Sequence, residues 1–305
     1  MNTSLTSAAI LAGALILTPN IPTAFAAPVQ VREAGARSDQ QTERTEQDKI
    51  AQRFVKLEQI KGATVKLHAN PEAIRKAAKD GETADRPECT VNDLMLDPRT
   101  GQITRALIGA GGFLGIGEKT VAIDFGELTW DQEDACFSLS MTRKDLENAE
   151  SFDLSEAKKR DRKAHAVEAS SSKASQPQQL GDYFYQPYQG GFFVGGELDE
   201  LELYDAIGQE FGGVSDTIID LDERKVAYFV ISRGGVAGVG ADRYLMPMAN
   251  LTLTQRMESD EDEANSVLWT KRTTADLELA PAYDEPDQGV ITKAMIDSVK
   301  TRFKG

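Results

Sequence analysis

Several groups of residues carry side chains able to do chemistry, and each also has an ordinary structural use. The stretch Gly112-Phe-Leu-Gly-Ile-Gly117-Glu118-Lys119-Thr120 has the glycines, lysine and threonine of a phosphate loop. Such a loop needs Lys directly after its last Gly and a helix behind it whose N–H groups face the phosphate. Here Glu118 intervenes and a strand-like run follows, so the spacing favours a strand-connecting loop. Asp216, Asp220, Asp222 and Glu223 offer oxygen ligands for calcium, but the EF-hand spacing and its closing Glu are absent. They read as turn residues. Glu258-Ser-Asp260-Glu-Asp262-Glu263 is denser and reads as a solvated acidic loop, with weak divalent-cation binding as the alternative. His68 and His165 are the chain's two histidines and read as surface residues, with no nucleophile-elbow pattern to recruit them.

Two further groups are sharper. Tyr183, Phe184, Tyr185, Tyr188, Phe192 and Phe193 are six aromatics within eleven residues, beside a polar stretch. They either fill a groove between domains or form a partner-binding surface, since aromatics concentrate at interface cores. Cys89 and Cys136 are the only cysteines. Bridged, they would close a loop worth about 4 kcal/mol of chain entropy. The alternative is two buried free thiols.

Composition narrows the chemistry. The 305 residues hold 49 Asp and Glu against 34 Lys and Arg, a net charge of −15 that disfavours nucleic acid and anionic lipid. Two His and two Cys leave little for zinc, which takes three or four N or S ligands. No catalytic constellation, cofactor site or metal site emerges.

Residues 8–17 form an apolar run too short to span a bilayer, followed by Pro19, Pro22 and Ala24-Phe25-Ala26. This is the pattern of a signal peptide over residues 1–26, cleaved after Ala26. The mature chain is expected to be periplasmic or secreted and to lack a transmembrane segment.

Residues 27–48 are polar and read as a mobile arm. Ile50, Phe54, Leu57 and Ile60 make one apolar stripe, predicting a helix over 47–61. Asn70 and Pro71 open a second short helix that stops at Gly81. From Cys89 onward short strands follow at turn-separated intervals, Val91–Leu96, Ile103–Ile108, Thr120–Phe125 and Cys136–Met141, before a short helix capped by Thr142. Residues 153–181 combine a basic helix-prone run with a Ser/Gln-rich linker. Ile291, Met295, Ile296, Val299 and Phe303 mark an amphipathic C-terminal helix.

The chain repeats itself. Residues 91–128 align without a gap on 214–251: Asp93 on Asp216, Asp97 on Asp220, and Gly111, Gly112, Gly115 and Gly117 on Gly234, Gly235, Gly238 and Gly240. After an eight-residue insertion Thr142 meets Thr273, Leu146 meets Leu277 and Phe152 meets Tyr283. Gly101 is replaced by Arg224, so the second copy's turn is expected to differ.

Val91-Asn-Asp-Leu-Met-Leu-Asp97, Thr100-Gly101-Gln-Ile103 and the glycine stretch through Phe125 resemble the PRC-barrel domain, as does the closing helix Thr142–Ala149 with Phe152. The resemblance implies two small, strongly bent β-barrels in tandem with short peripheral helices. The expected layout is barrel 1 with its N-terminal helices at 49–152, a linker at 153–181, barrel 2 at 182–284 and a C-terminal helix at 285–305. The expected function is a non-enzymatic adaptor or scaffold that binds an envelope protein. A small-ligand or divalent-cation-binding protein is the alternative. The resemblance adds a third reading, a photosynthetic electron-transfer accessory.

Overall fold

The computed structural model describes residues 45–68, 88–110, 119–171, 178–235, 240–258, 264–284 and 290–304. The signal-peptide segment, the glycine loop 111–118, the helix expected over 70–81 and most of the acidic loop 258–263 fall outside them.

The chain enters through α1 (residues 45–53), β1 (Phe54–Lys56) and α2 (Leu57–Ile60). The first copy contributes β2 (Thr64–Leu67), β3 (Glu88–Leu96), β4 (Ile103–Ala110), β5 (Lys119–Asp124), β6 (Leu128–Asp131) and β7 (Cys136–Leu139), then α3 (Arg143–Asn148). Between the copies lie α4 (Leu154–Ser171), β8 (Gln178–Leu180), β9 (Tyr183–Pro187), β10 (Phe193–Val194) and a 3-10 turn, Gly195–Glu200. The second copy contributes β11 (Glu202–Tyr204), β12 (Glu210–Asp220), β13 (Lys225–Arg233), β14 (Asp242–Pro247), β15 (Thr252–Glu258) and β16 (Asn265–Trp269), then α5 (Thr274–Leu277). The C-terminal helix is α6 (Lys293–Arg302).

The protein is mainly β, as expected, with two sheets. Their strand orders are the same: β5-β4-β3-β2-β7-β6 and β14-β13-β12-β11-β16-β15, the latter extended by β9 and β8. The repeat holds to the level of irregularities. The β3–β4 ladder shifts register at Val91/Asp93 and Met95/Leu96, and β12–β13 shifts at the matching Val214/Asp216 and Ile218/Ile219. Bulges bend and twist a strand, so equivalent bulges curl both sheets alike. Thr142 and Thr273 cap α3 and α5 in the same way, each accepting the third residue's N–H. Arg224 adopts φ +53° where Gly101 has +71°. The expected difference in turn geometry is absent, and Arg224 accepts a left-handed conformation that glycine holds without strain.

The two copies are interlocked. β1, preceding the first copy, pairs with β12 of the second, Val55 opposite Ile219. β10, preceding the second copy, pairs with β3 of the first, Phe193 opposite the equivalent Leu96. Between them Gln102 bridges its own counterpart Lys225. Ile103 N–H donates to Arg224 C=O (2.7 Å) and Val226 N–H to Gly101 C=O (2.9 Å), a symmetric pair about a local twofold axis. One hydrophobic cluster runs through both sheets. The layout inferred from sequence placed residues 54–56 with barrel 1 and residues 193–194 with barrel 2. Each of these strands instead completes the other copy's sheet.

One further expectation changes, one holds and one open alternative is decided. The helix expected over 47–61 is broken, because Phe54-Val55-Lys56 is drawn into the β12 ladder. The basic run of the linker forms the 18-residue helix α4. The bridge between Cys89 and Cys136 is not formed, and both thiols are buried. They sit on β3 and β7, which flank β2 on opposite sides, with Val65 opposite Cys89 and Phe137. Two strand spacings are about 9.5 Å, beyond the reach of a disulfide.

Asp205 fixes the entry to the second sheet. Its buried carboxylate accepts N–H bonds from Ile207 (2.9 Å), Gln209 (2.9 Å) and Thr274 (3.1 Å), and the Thr274 hydroxyl (2.8 Å). Burial alone would raise its pKa, but these donors outweigh it and hold the carboxyl below the usual range. Asp205→Ala should cost about 2–4 kcal/mol, because it strands buried donors. Asp205→Asn should flatten the acid limb of stability. The folded carboxylate binds its proton less tightly than the unfolded one, so the wild type loses stability as pH falls through and below the ordinary Asp range. Urea midpoints from pH 7 down to 3 for both proteins measure the difference.

Candidate functional site

A groove forms where α4 and the lengthened β15–β16 hairpin, which have no full counterpart in the first copy, face the shared segment 192–202. Asp153 opens α4 by accepting the Glu156 N–H (3.0 Å). Two α4 side chains then tie the helix to the body. Lys158 pairs with Glu197 of the 3-10 turn. The Asp161 carboxylate accepts the Gly191 N–H at 2.8 and 3.0 Å. Opposite, the β15–β16 hairpin is longer than the β6–β7 hairpin and carries β9 on its outer edge.

The space enclosed is an open groove of about 880 Å³ between α4, residues 188–202 and the tip of β15–β16. Lys158, Arg162 and Arg256 supply its positive charge, and Asp161, Glu197, Glu200 and Glu202 its negative charge. Amide groups of Gln189, Gln255 and Asn265 also line it, as do the Tyr188 and Phe192 rings. Tyr188 stacks edge-on against Phe193 at 5.2 Å. Burial raises its hydroxyl pKa, with Glu197 and Asp161 adding to the effect. Gly190 is required here, because a Cβ would sit 2.4 Å from the Tyr188 ring. The Arg256 guanidinium lies over Tyr183 at 3.4 Å from the ring centre and over Tyr204 at 4.7 Å. These groups suit binding: Lys158 with Glu197 and Gln189 Nε2 with the Pro187 carbonyl (2.8 Å) fix the walls, and the Gln255 and Asn265 amides and the Phe192 ring line the space between them.

The six aromatics named from sequence do not form one surface. Tyr185 and Phe193 are buried, and the other four are half-buried. Tyr183 and Tyr185 share a face of β9 and join a small core with Tyr204, Val267 and Trp269. Phe193 belongs to the main core through β10. Of the six, Tyr188, Phe192 and Phe193 line the groove. Sequence reasoning missed α4's wall and the hairpin tip. The eight-residue insertion in the second copy was the available signal for the tip.

The acidic candidates have structural uses. Asp220 accepts the Asp222 and Glu223 N–H groups (both 3.1 Å) and pairs with Arg53 at 2.5 Å. Asp97 closes the equivalent turn through the Arg99 N–H (2.7 Å). Asp216 pairs with Lys56 at 3.3 Å. Asp131, Asp134 and Cys136 bring ligand-type atoms within 4.8 Å of one another. The Lys66 ammonium occupies that corner, bonded to Asp134 (2.5 Å). His68 bonds Ser138 (3.1 Å). Among the described residues no helix is long and apolar enough to cross a membrane.

The PRC-barrel domain family model matches residues 90–135 and 191–263, one segment in each copy. No curated protein matches the chain. The same strand order, bulges and caps recur around both matched segments, so the chain is similar to the PRC-barrel domain in each of its two copies.

Proposed function

We propose that this protein is a non-enzymatic binding module of the cell envelope that holds a protein partner in the groove between α4 and the β15–β16 hairpin. The observation that carries this reading is where the groove lies. Against the shared segment 192–202, three features without a counterpart in the first copy, α4, residues 188–190 and the lengthened tip of β15–β16, close one concavity. Loops and insertions on a rigid scaffold are where binding function accumulates. Export rests on the apolar run before Ala26. The cation-binding alternative has weaker support, since Asp216, Asp220 and Asp134 already pair with Lys56, Arg53 and Lys66.

The test is crosslinking of the chain from Ala27 onward in its native envelope fraction, beside an Arg162→Glu/Phe192→Ser variant shown to be folded, with a cooperative melt, at the assay temperature. A specific partner recovered at least tenfold less with the variant supports the groove. Equal recovery removes the groove as the site. A turnover activity abolished by one point substitution would replace the reading with an enzymatic one.

A further inference from the structure

Among the described residues β6 is an edge strand, paired with β7 alone, that leaves one side of the first sheet open. Its counterpart β15 pairs with β16 on one side and with β9 on the other, from Thr254 opposite Pro187 to Glu258 opposite Tyr183. Beyond β9 the Tyr188 N–H donates to Leu253 C=O at 3.1 Å. The two hairpins share one register, Trp130 opposite Phe137 and Leu253 opposite Leu268. A residue in an antiparallel ladder sends its N–H and C=O to the same side. Leu253 therefore faces β9 with both groups, and Trp130, by equivalence, faces the open side with both of its own.

Two properties of this edge say what fits it. Its charge is of one sign: Glu127, Asp131, Glu133 and Asp134 are exposed along β6 and its flanking turns, and Lys66 pairs with Asp134. Charged edges ordinarily prevent sheets from joining. Charges of one sign exclude another copy of the same edge but attract a strand of opposite charge. The Trp130 ring is fixed beside the edge, stacked on Phe137 at 4.8 Å with its Nε1 donating to Gln132 (2.9 Å). It offers an apolar step to alternate residues of an added strand.

We propose that the β6 edge accepts an extended protein segment with basic residues on one face and apolar residues on the other, by strand addition. The site is separate from the groove and does not depend on it.

Fluorescence anisotropy with a labelled heptapeptide alternating Lys with Val or Tyr tests this on the chain from Ala27 onward. Two control peptides have the same length, one N-methylated at every residue and one with Glu in place of Lys. The Lys peptide is expected to bind, and the N-methylated peptide at least tenfold more weakly. The Glu peptide is expected not to bind. Glu127→Lys/Glu133→Lys should weaken the Lys peptide at least tenfold, while Arg162→Glu in the groove leaves it unchanged. Absence of binding by the Lys peptide overturns the proposal. So does equal binding by its N-methylated form, which would mean adsorption by charge. A change in affinity on Arg162→Glu, a gain above all since it adds negative charge to the groove, would place the peptide there and also overturn it.

Discussion

Expressed separately, residues 45–171 and residues 178–305 should each fail to give a cooperative unfolding transition, and together they should form one folded complex. The reason is the reciprocal exchange of β1 and β10. The first fragment carries Phe54, Val55, Leu57 and Ile60, all buried, on an arm whose strand pairs with β12. The second carries buried Phe193, Val194 and Leu198 on an arm whose strand pairs with β3. Each large apolar side chain is worth about 1.5–3 kcal/mol when removed from water. An arm of three or four such residues approaches the roughly 5–15 kcal/mol that holds a domain folded. Each fragment would expose its own arm and lack the strand that covers its own sheet. The twofold contact of Gln102 with Lys225 would also be lost to both. Circular dichroism melts of each fragment and of the co-expressed pair read the result directly. Two fragments that melt cooperatively alone would show that each copy closes its own core.

Much of the framework was legible because it is local. The turn aspartates Asp97 and Asp220, the threonine caps and the alternation of β3 and β12 are encoded within a few residues of where they act. The arms were not. Residues 54–67 and 192–205 occupy equivalent places, yet Phe54 and Phe192 are their one identity, so self-comparison stopped short of them. Their strands are only three and two residues long, and their partners lie more than 90 residues away. The stripe Ile50, Phe54, Leu57, Ile60 fits a helix equally well until β12 captures its middle. Arg224 shows the converse. The symmetric pairing with Ile103 fixes the turn, and the residue conforms to it. The aromatic run was visible as composition, but which ring is buried depends on strands elsewhere in the chain. The groove's charges on α4 acquire meaning only when Glu197 and the Gly191 N–H stand opposite them.

The neighbours Phe192 and Phe193 separate packing from binding. Phe193 is 3% exposed, stacked on Tyr188 and paired into β3. Phe193→Ala should cost about 3–5 kcal/mol, since the cavity opens inside a junction tied by strands on both sides. At roughly 2–4 °C per kcal/mol for a chain of this size, its Tm should fall by roughly 10 °C. Phe192 is half-buried with its ring on the groove, so Phe192→Ala should cost about 1 kcal/mol and leave the transition cooperative. Differential scanning calorimetry of the two variants distinguishes them without knowledge of any partner. A large loss for Phe193 alone identifies β10 as a structural pin, so that loss of partner capture on mutating Phe193 reports unfolding. Equal, small losses would mean that β10 contributes little to the junction, and the interlock would then rest on β1 and its Arg53–Asp220 pair.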